Sequence, residues 1–158
     1  MKHIIKIVFG LVVIIGLGFL LFQNTYSTEE DGSVTVSGFL VVEKIKEYPL
    51  RAMVTEPDRK IGIALEEYKL DYGYVPMYSN VTKYINVWNQ GSPSKIHLEV
   101  IGNISEFIEF SDNDFVLKDG KEVSVLLYAV KTGNFSGILR VSAKKPRSRW
   151  LDWILPII

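Results

Sequence analysis

The feature that most constrains this chain is a period-two alternation of apolar and polar residues, running from Leu70 to Val141 and broken by turn-forming clusters about every ten residues. Period two sends alternate side chains to opposite faces of an extended strand, so each run reads as a strand with one face toward a core. Ile96, Leu98 and Val100 alternate with Lys95, His97 and Glu99, and Val123, Val125 and Leu127 repeat the pattern. Ile108 with Phe110, Phe115 with Leu117, and Leu139 with Val141 extend it. Between them Asn89–Pro93, Ser111–Asp114, Lys118–Lys121 and Gly133–Gly137 carry the Gly, Pro, Asn, Asp and Ser residues that make turns. Strands at this spacing predict an all-β antiparallel sandwich rather than βαβ units. Ile85, Val87, Leu98, Val125 and Leu139 are its expected shared core, and parity puts Tyr84, Asn86 and Trp88 together on the opposite face.

Upstream, Ser33 to Val42 reads as a strand, Glu43 to Tyr48 as a charged turn ending at Pro49, and Leu50 to Thr55 as a second strand stopped by Pro57. Ile61–Leu65 is expected to begin the main sandwich, and Leu70–Gly73 to form a short strand leading into a bend at Val75 and Pro76. The sandwich is therefore placed at 33–143, its main part from about residue 60.

Residues 1–23 contain an uncharged run, Ile7 to Phe22, which Ile4 and Ile5 lengthen across Lys6 to about the span of a 30 Å hydrocarbon layer. Lys2 and Lys6 precede it and Glu29, Glu30 and Asp31 follow, so the reading is a single-pass anchor with the N-terminus in the cytoplasm and the domain outside. A cleaved signal peptide is the rival, since Thr25 and Ser27 are small enough to precede a cut; the length of the run favours the anchor. Residues 24–32 are read as a tether, and the polar, acidic stretch from Gln23 to Gly32 reaches about 33 Å at full stretch.

Eighteen basic residues balance eighteen acidic ones, so no global field draws the chain to nucleic acid. The chain has no cysteine, which removes disulfides and thiolate metal sites and, for a domain read as extracytoplasmic, argues for a prokaryotic surface protein, archaea included. His3 and His97 stand alone, and no phosphate-cradling glycine loop or serine elbow is present; the expectation is a non-catalytic protein without a cofactor. Asp112 and Asp114, flanking Asn113, are candidate oxygen ligands for calcium, weighed against their use as turn residues. Asn80, Asn103 and Asn134 each open an N-x-S/T glycosylation sequon.

Tyr84, Asn86 and Trp88 form a contact patch if their face is open; the competing expectation, which is preferred here, covers them with strands from Ser33 to Thr55. The tail, 144–158, sets Lys144, Lys145, Arg147 and Arg149 ahead of Trp150 and Trp153. Too short to span a bilayer, it is suited either to the membrane interface or to packing on the sandwich or a partner.

Two stretches resemble the immunoglobulin-like group that includes major sperm protein and the abnormal-spindle and hydin domains, Leu70-Asp-Tyr-Gly73 and Ile85-Asn-Val-Trp-Asn89-Gln-Gly91, and Gly133-Asn-Phe-Ser-Gly137 is similar to the entry to the final strand found in many sandwiches. The resemblance covers about Ile61 to Ala143. It implies an immunoglobulin-like sandwich and a scaffolding or attachment role, and carries over no binding residue. The function expected is a membrane-tethered extracytoplasmic interaction domain whose partners are lipid and another envelope or membrane protein, with a carbohydrate-binding module as the alternative.

Overall fold

The computed structural model describes residues 26–30, 32–38, 40–56, 70–89 and 91–158. The apolar run read as an anchor and the strand expected at Ile61–Leu65 lie outside them. Among the described residues no helix is long and apolar enough to cross a membrane.

The described chain is all-β, with strands β1 (Tyr26–Glu30), β2 (Ser33–Ser37), β3 (Val41–Thr55), β4 (Leu70–Pro76), β5 (Asn80–Trp88), β6 (Ser94–Gly102), β7 (Ile108–Phe110), β8 (Phe115–Leu117), β9 (Gly120–Tyr128) and β10 (Gly133–Pro146). Short 3₁₀ helices occupy Ser105–Phe107 and Arg149–Ile154. The larger sheet runs β1-β2-β3-β10-β6-β8, with β4 also paired to β3; the smaller runs β5-β9-β7. Alternate positions of both sheets meet in one core: Leu50, Ala52 and Val54 from β3, Ile96 and Leu98 from β6, Leu139 from β10, and Val123, Val125 and Leu127 from β9. Burying a side chain of this size contributes about 1.5 to 3 kcal/mol, which is how a chain without disulfides coheres. Tyr72 adds a polar tie, its buried hydroxyl donating to the Val125 carbonyl at 2.9 Å and so joining β4 of one sheet to β9 of the other.

Parity holds where it was read. Leu98, Val125 and Leu139 are fully buried, while Ile85 and Val87 are half-buried and pack against that core from its margin.

Several boundaries differ from expectation. The segment 43–48 is not a turn: β3 runs unbroken through it and through Pro49, because β10 pairs with it from Val41 to Val54. On the other edge of β3, β2 reaches no further than Ser33 opposite Lys46 and β4 begins opposite Leu50, so Pro49 stands where that edge has no partner among the described residues, and a missing N–H costs no bond there. The strand expected from Ser33 to Val42 is broken after Ser37, where the Gly38 amide donates to the Val41 carbonyl at 2.8 Å. The acidic tether is partly a strand, since Tyr26–Glu30 pairs with β2 along its whole length. β10 continues past residue 143 to Pro146, carrying Lys144 and Lys145 into the sheet. The sandwich is also not purely antiparallel. β4 runs parallel to β3, an arrangement that needs a crossover of a dozen or more residues, and the chain between Thr55 and Leu70 is long enough to supply one.

Two glycines allow β6 and β10 to approach closely where β6 ends. Gly102 on β6 faces Gly137 on β10, and a Cβ on Gly102 would lie 2.6 Å from the Ser136 carbonyl oxygen. Only glycine permits that approach.

Candidate functional site

The outer face of the smaller sheet is assembled by register. Opposite one another stand Asn80 and Tyr128, Thr82 and Leu126, Tyr84 and Ser124, Asn86 and Glu122, and Trp88 and Gly120. Tyr84 is 63% exposed and Trp88 76%, with Asn86 exposed between them, so the strands from Ser33 to Thr55 do not cover this face; that expectation is corrected. The reason is topological: β3 is recruited edge-on into the larger sheet by β10 and so cannot form an outer layer. Four residues apart on one strand, the two residues have backbone positions about 13 Å apart.

Trp88 is held in place from below and behind. Its six-membered ring lies over Gly120, where a Cβ would be only 2.6 Å from Cε3. Directly after it, Asn89 fixes the strand end: its Nδ2 donates to the Ser92 carbonyl at 2.8 Å and the Leu117 carbonyl at 3.2 Å, while its backbone amide donates to the Asp119 carbonyl at 2.7 Å. The asparagine picked out by the family-like motif is thus the anchor for the turn cluster at that end. Beyond the patch, a hydrogen bond to the Glu109 carboxylate raises the Tyr128 phenol above its ordinary pKa.

The calcium candidates do not converge. Asp112 pairs with Lys121, which holds its carboxyl below the usual pKa, and the same ammonium sits 4.3 Å from the centre of the Phe115 ring. Asp114 instead meets His97 Nδ1 at 2.9 Å. Asn113 mimics a strand: its Oδ1 accepts from the Leu98 amide at 2.7 Å and its Nδ2 donates to the Leu98 carbonyl at 2.9 Å. These residues therefore serve the turn and the edge of β6. Among the described residues no three His, Asp or Glu side chains gather as a metal site. An open depression of about 430 Å³ between β3, β6 and β10 contains one ionisable lining residue, Arg51.

The sequons lie toward one end of the sandwich. Asn80 opens β5, Asn134 pairs with Met53 near the last residues of β3, and Asn103 follows β6 and accepts from the Ser136 amide at 2.7 Å through Oδ1. All three are exposed.

The tail does pack on the sandwich, through residues sequence reading did not single out: Leu151 and Leu155 are buried, and Lys95 Nζ donates to the Pro156 carbonyl at 3.3 Å. Trp153 remains 69% exposed and Ile157 75%. Lys145 and Arg147 are exposed and Lys144 is half-buried. Arg149 and Trp150 lie in the 3₁₀ helix, and their side chains fall outside the description.

Sequence reading also missed Arg140, which bridges Glu47 at 2.9 Å and Glu99 at 3.4 Å across three strands of the larger sheet. Its partners are distant in the chain, and only the register of β3, β10 and β6 reveals them.

Comparison of the chain with protein-family models, with characterised proteins and with solved structures returned no match.

Proposed function

We propose that this is a non-catalytic, membrane-tethered extracytoplasmic interaction domain that engages another envelope or membrane protein through the open face of its smaller sheet. The observation carrying this reading is the exposure of Tyr84 and Trp88 on a strand face whose other outward side chains, Leu126 aside, carry polar groups. Rigid aromatic rings with amide and hydroxyl neighbours are the side chains on which protein interfaces concentrate their binding energy.

The immunoglobulin-like reading gains support from strand order. β5-β9-β7 opposes β3-β10-β6 as the immunoglobulin sandwich sets its B, E and D strands against G, F and C. Here β3, in the place of the last strand, comes from ahead of the body in sequence. A scaffolding or attachment role, which the family resemblance implied, suits such a domain.

Copurification of the full-length chain from its native membrane tests the proposal. A stoichiometric protein partner is expected, and is expected to be lost when Tyr84 and Trp88 are both changed to Ser. Retention of the partner by that variant would contradict it. Two exposed rings on one strand, with Asn86 between them, also favour a second reading, binding of an extended glycan. Glycan-array binding abolished by Trp88→Ala would select that reading.

A further inference from the structure

We propose that the C-terminal tail is a second membrane contact, a shallow foot that rests on an anionic lipid surface beside the point where the chain leaves the bilayer. This rests on the reading of Ile7–Phe22 as an anchor.

The sheet register supplies the geometry. Tyr26, the first described residue, pairs with Ser37; Ser37 pairs with Val42, and Val42 with Lys145. Three strand spacings of about 4.8 Å put Lys145 roughly 14 Å from Tyr26. Between Phe22 and Tyr26 lie three residues, a reach of at most about 14 Å. With Tyr26–Glu30 built into the sheet, the tether is far shorter than the acidic stretch suggested, and an anchor ending at Phe22 holds this end of the sandwich at the headgroups.

The chemistry of that end matches the surface it would meet. From Lys144 onward the chain holds four basic residues and one acid, Asp152, and the register adds one more acid, Glu43, opposite Lys144. The Arg147 amide donates to the Leu40 carbonyl at 2.9 Å, which draws the turn between β2 and β3 to the same place, and Leu40 is itself 43% exposed. Leu151 and Leu155 secure the tail to the sandwich while Trp153 and Ile157 point into solvent. Tryptophan and aliphatic side chains beside lysine and arginine are what an anionic interface binds. The three sequons lie toward the opposite end, where an upright domain carries its glycans away from the membrane.

Because the chain has no cysteine, a single spin label reports depth without competing sites. Full-length Ile157→Cys, labelled and reconstituted into vesicles of mixed phosphatidylcholine and phosphatidylglycerol, is compared with Tyr78→Cys in the turn between β4 and β5 at the other end. The label at 157 is expected to collide more with oxygen than with a water-soluble nickel chelate, and the label at 78 the reverse. Changing Lys145 and Arg147 to Ser is expected to weaken the contact by about fivefold per residue. Nickel-dominated collisions at 157, in a chain that resists carbonate extraction, would overturn the foot and leave the anchor standing. A chain that carbonate strips from the vesicles would overturn the anchor and the foot with it. As a second check in the labelled chain, Trp153→Ser should leave the melting temperature unchanged and lower the oxygen preference at 157; a lowered melting temperature with unchanged oxygen preference would assign Trp153 to the fold instead.

Discussion

The two outer faces of the sandwich use their outward positions in opposite ways. On the larger sheet the charged ones satisfy one another, beside exposed Met53, Ile101 and Ile138: Arg140 joins Glu47 and Glu99, His97 meets Asp114, and the tail packs beside Lys95. On the smaller sheet Tyr84, Asn86 and Trp88 stand exposed above a strand that β9 and Asn89 hold in place. Both faces grow from the same period-two pattern and the same core. What differs is whether neighbouring strands bring complementary groups opposite each other, and the proposed interaction role rests on that difference.

The largest effect should come from the core beneath both faces. Leu139→Ala empties a fully buried site between the sheets and is expected to cost about 3 kcal/mol in urea unfolding, with any partner binding preserved in the surviving folded fraction. Next comes the polar tie. Tyr72→Phe removes the hydroxyl that reaches Val125 and leaves a buried carbonyl one donor short, an expected loss of about 1 to 2 kcal/mol at neutral pH. Burial also pushes the Tyr72 hydroxyl well above its ordinary pKa. The unfolded chain therefore loses its tyrosine proton first as pH rises, and stability should be complete below about pH 10 and fall above it. Unfolding curves for Tyr72→Phe should show less of that alkaline decline, and an equal decline in both proteins would refute the assignment.

The difference between the faces is sharpened by smaller effects. Arg140→Ala should cost less than about 1 kcal/mol, because its partners are partly solvated, and the cost should shrink further in high salt. Tyr84→Ser should change stability by no more than about 0.5 kcal/mol. A larger loss would mean that the aromatic face is part of the fold, as the ionic one is, and the distinction would collapse.

Local pattern revealed the strands and the inward parity of Ile96, Leu98, Val125 and Leu139, because alternation is written in adjacent residues. It could not reveal what depends on strands distant in the chain. The charges of 43–48 read as a turn because nothing nearby shows that β10 will pair with them. For the same reason β3 was expected to cover Tyr84 and Trp88, when it lies within the opposite sheet. Of the candidate site, the residues were legible and their exposure was not. In the tail, Trp150 and Trp153 drew notice as aromatic residues, yet Leu151 and Leu155 do the packing, since a 3₁₀ helix ending before Pro156 sets which positions turn inward.

The central claim, that the smaller sheet's face is the one offered to a partner, is tested most directly by site-specific photo-crosslinking in the native membrane. A photoreactive residue is placed at Tyr84 in one full-length chain and at Glu99, equally outward on the larger sheet, in another. A discrete crosslinked species from position 84 and none from position 99 is the expected result. Crosslinking from 99 alone, or from neither, would contradict the account.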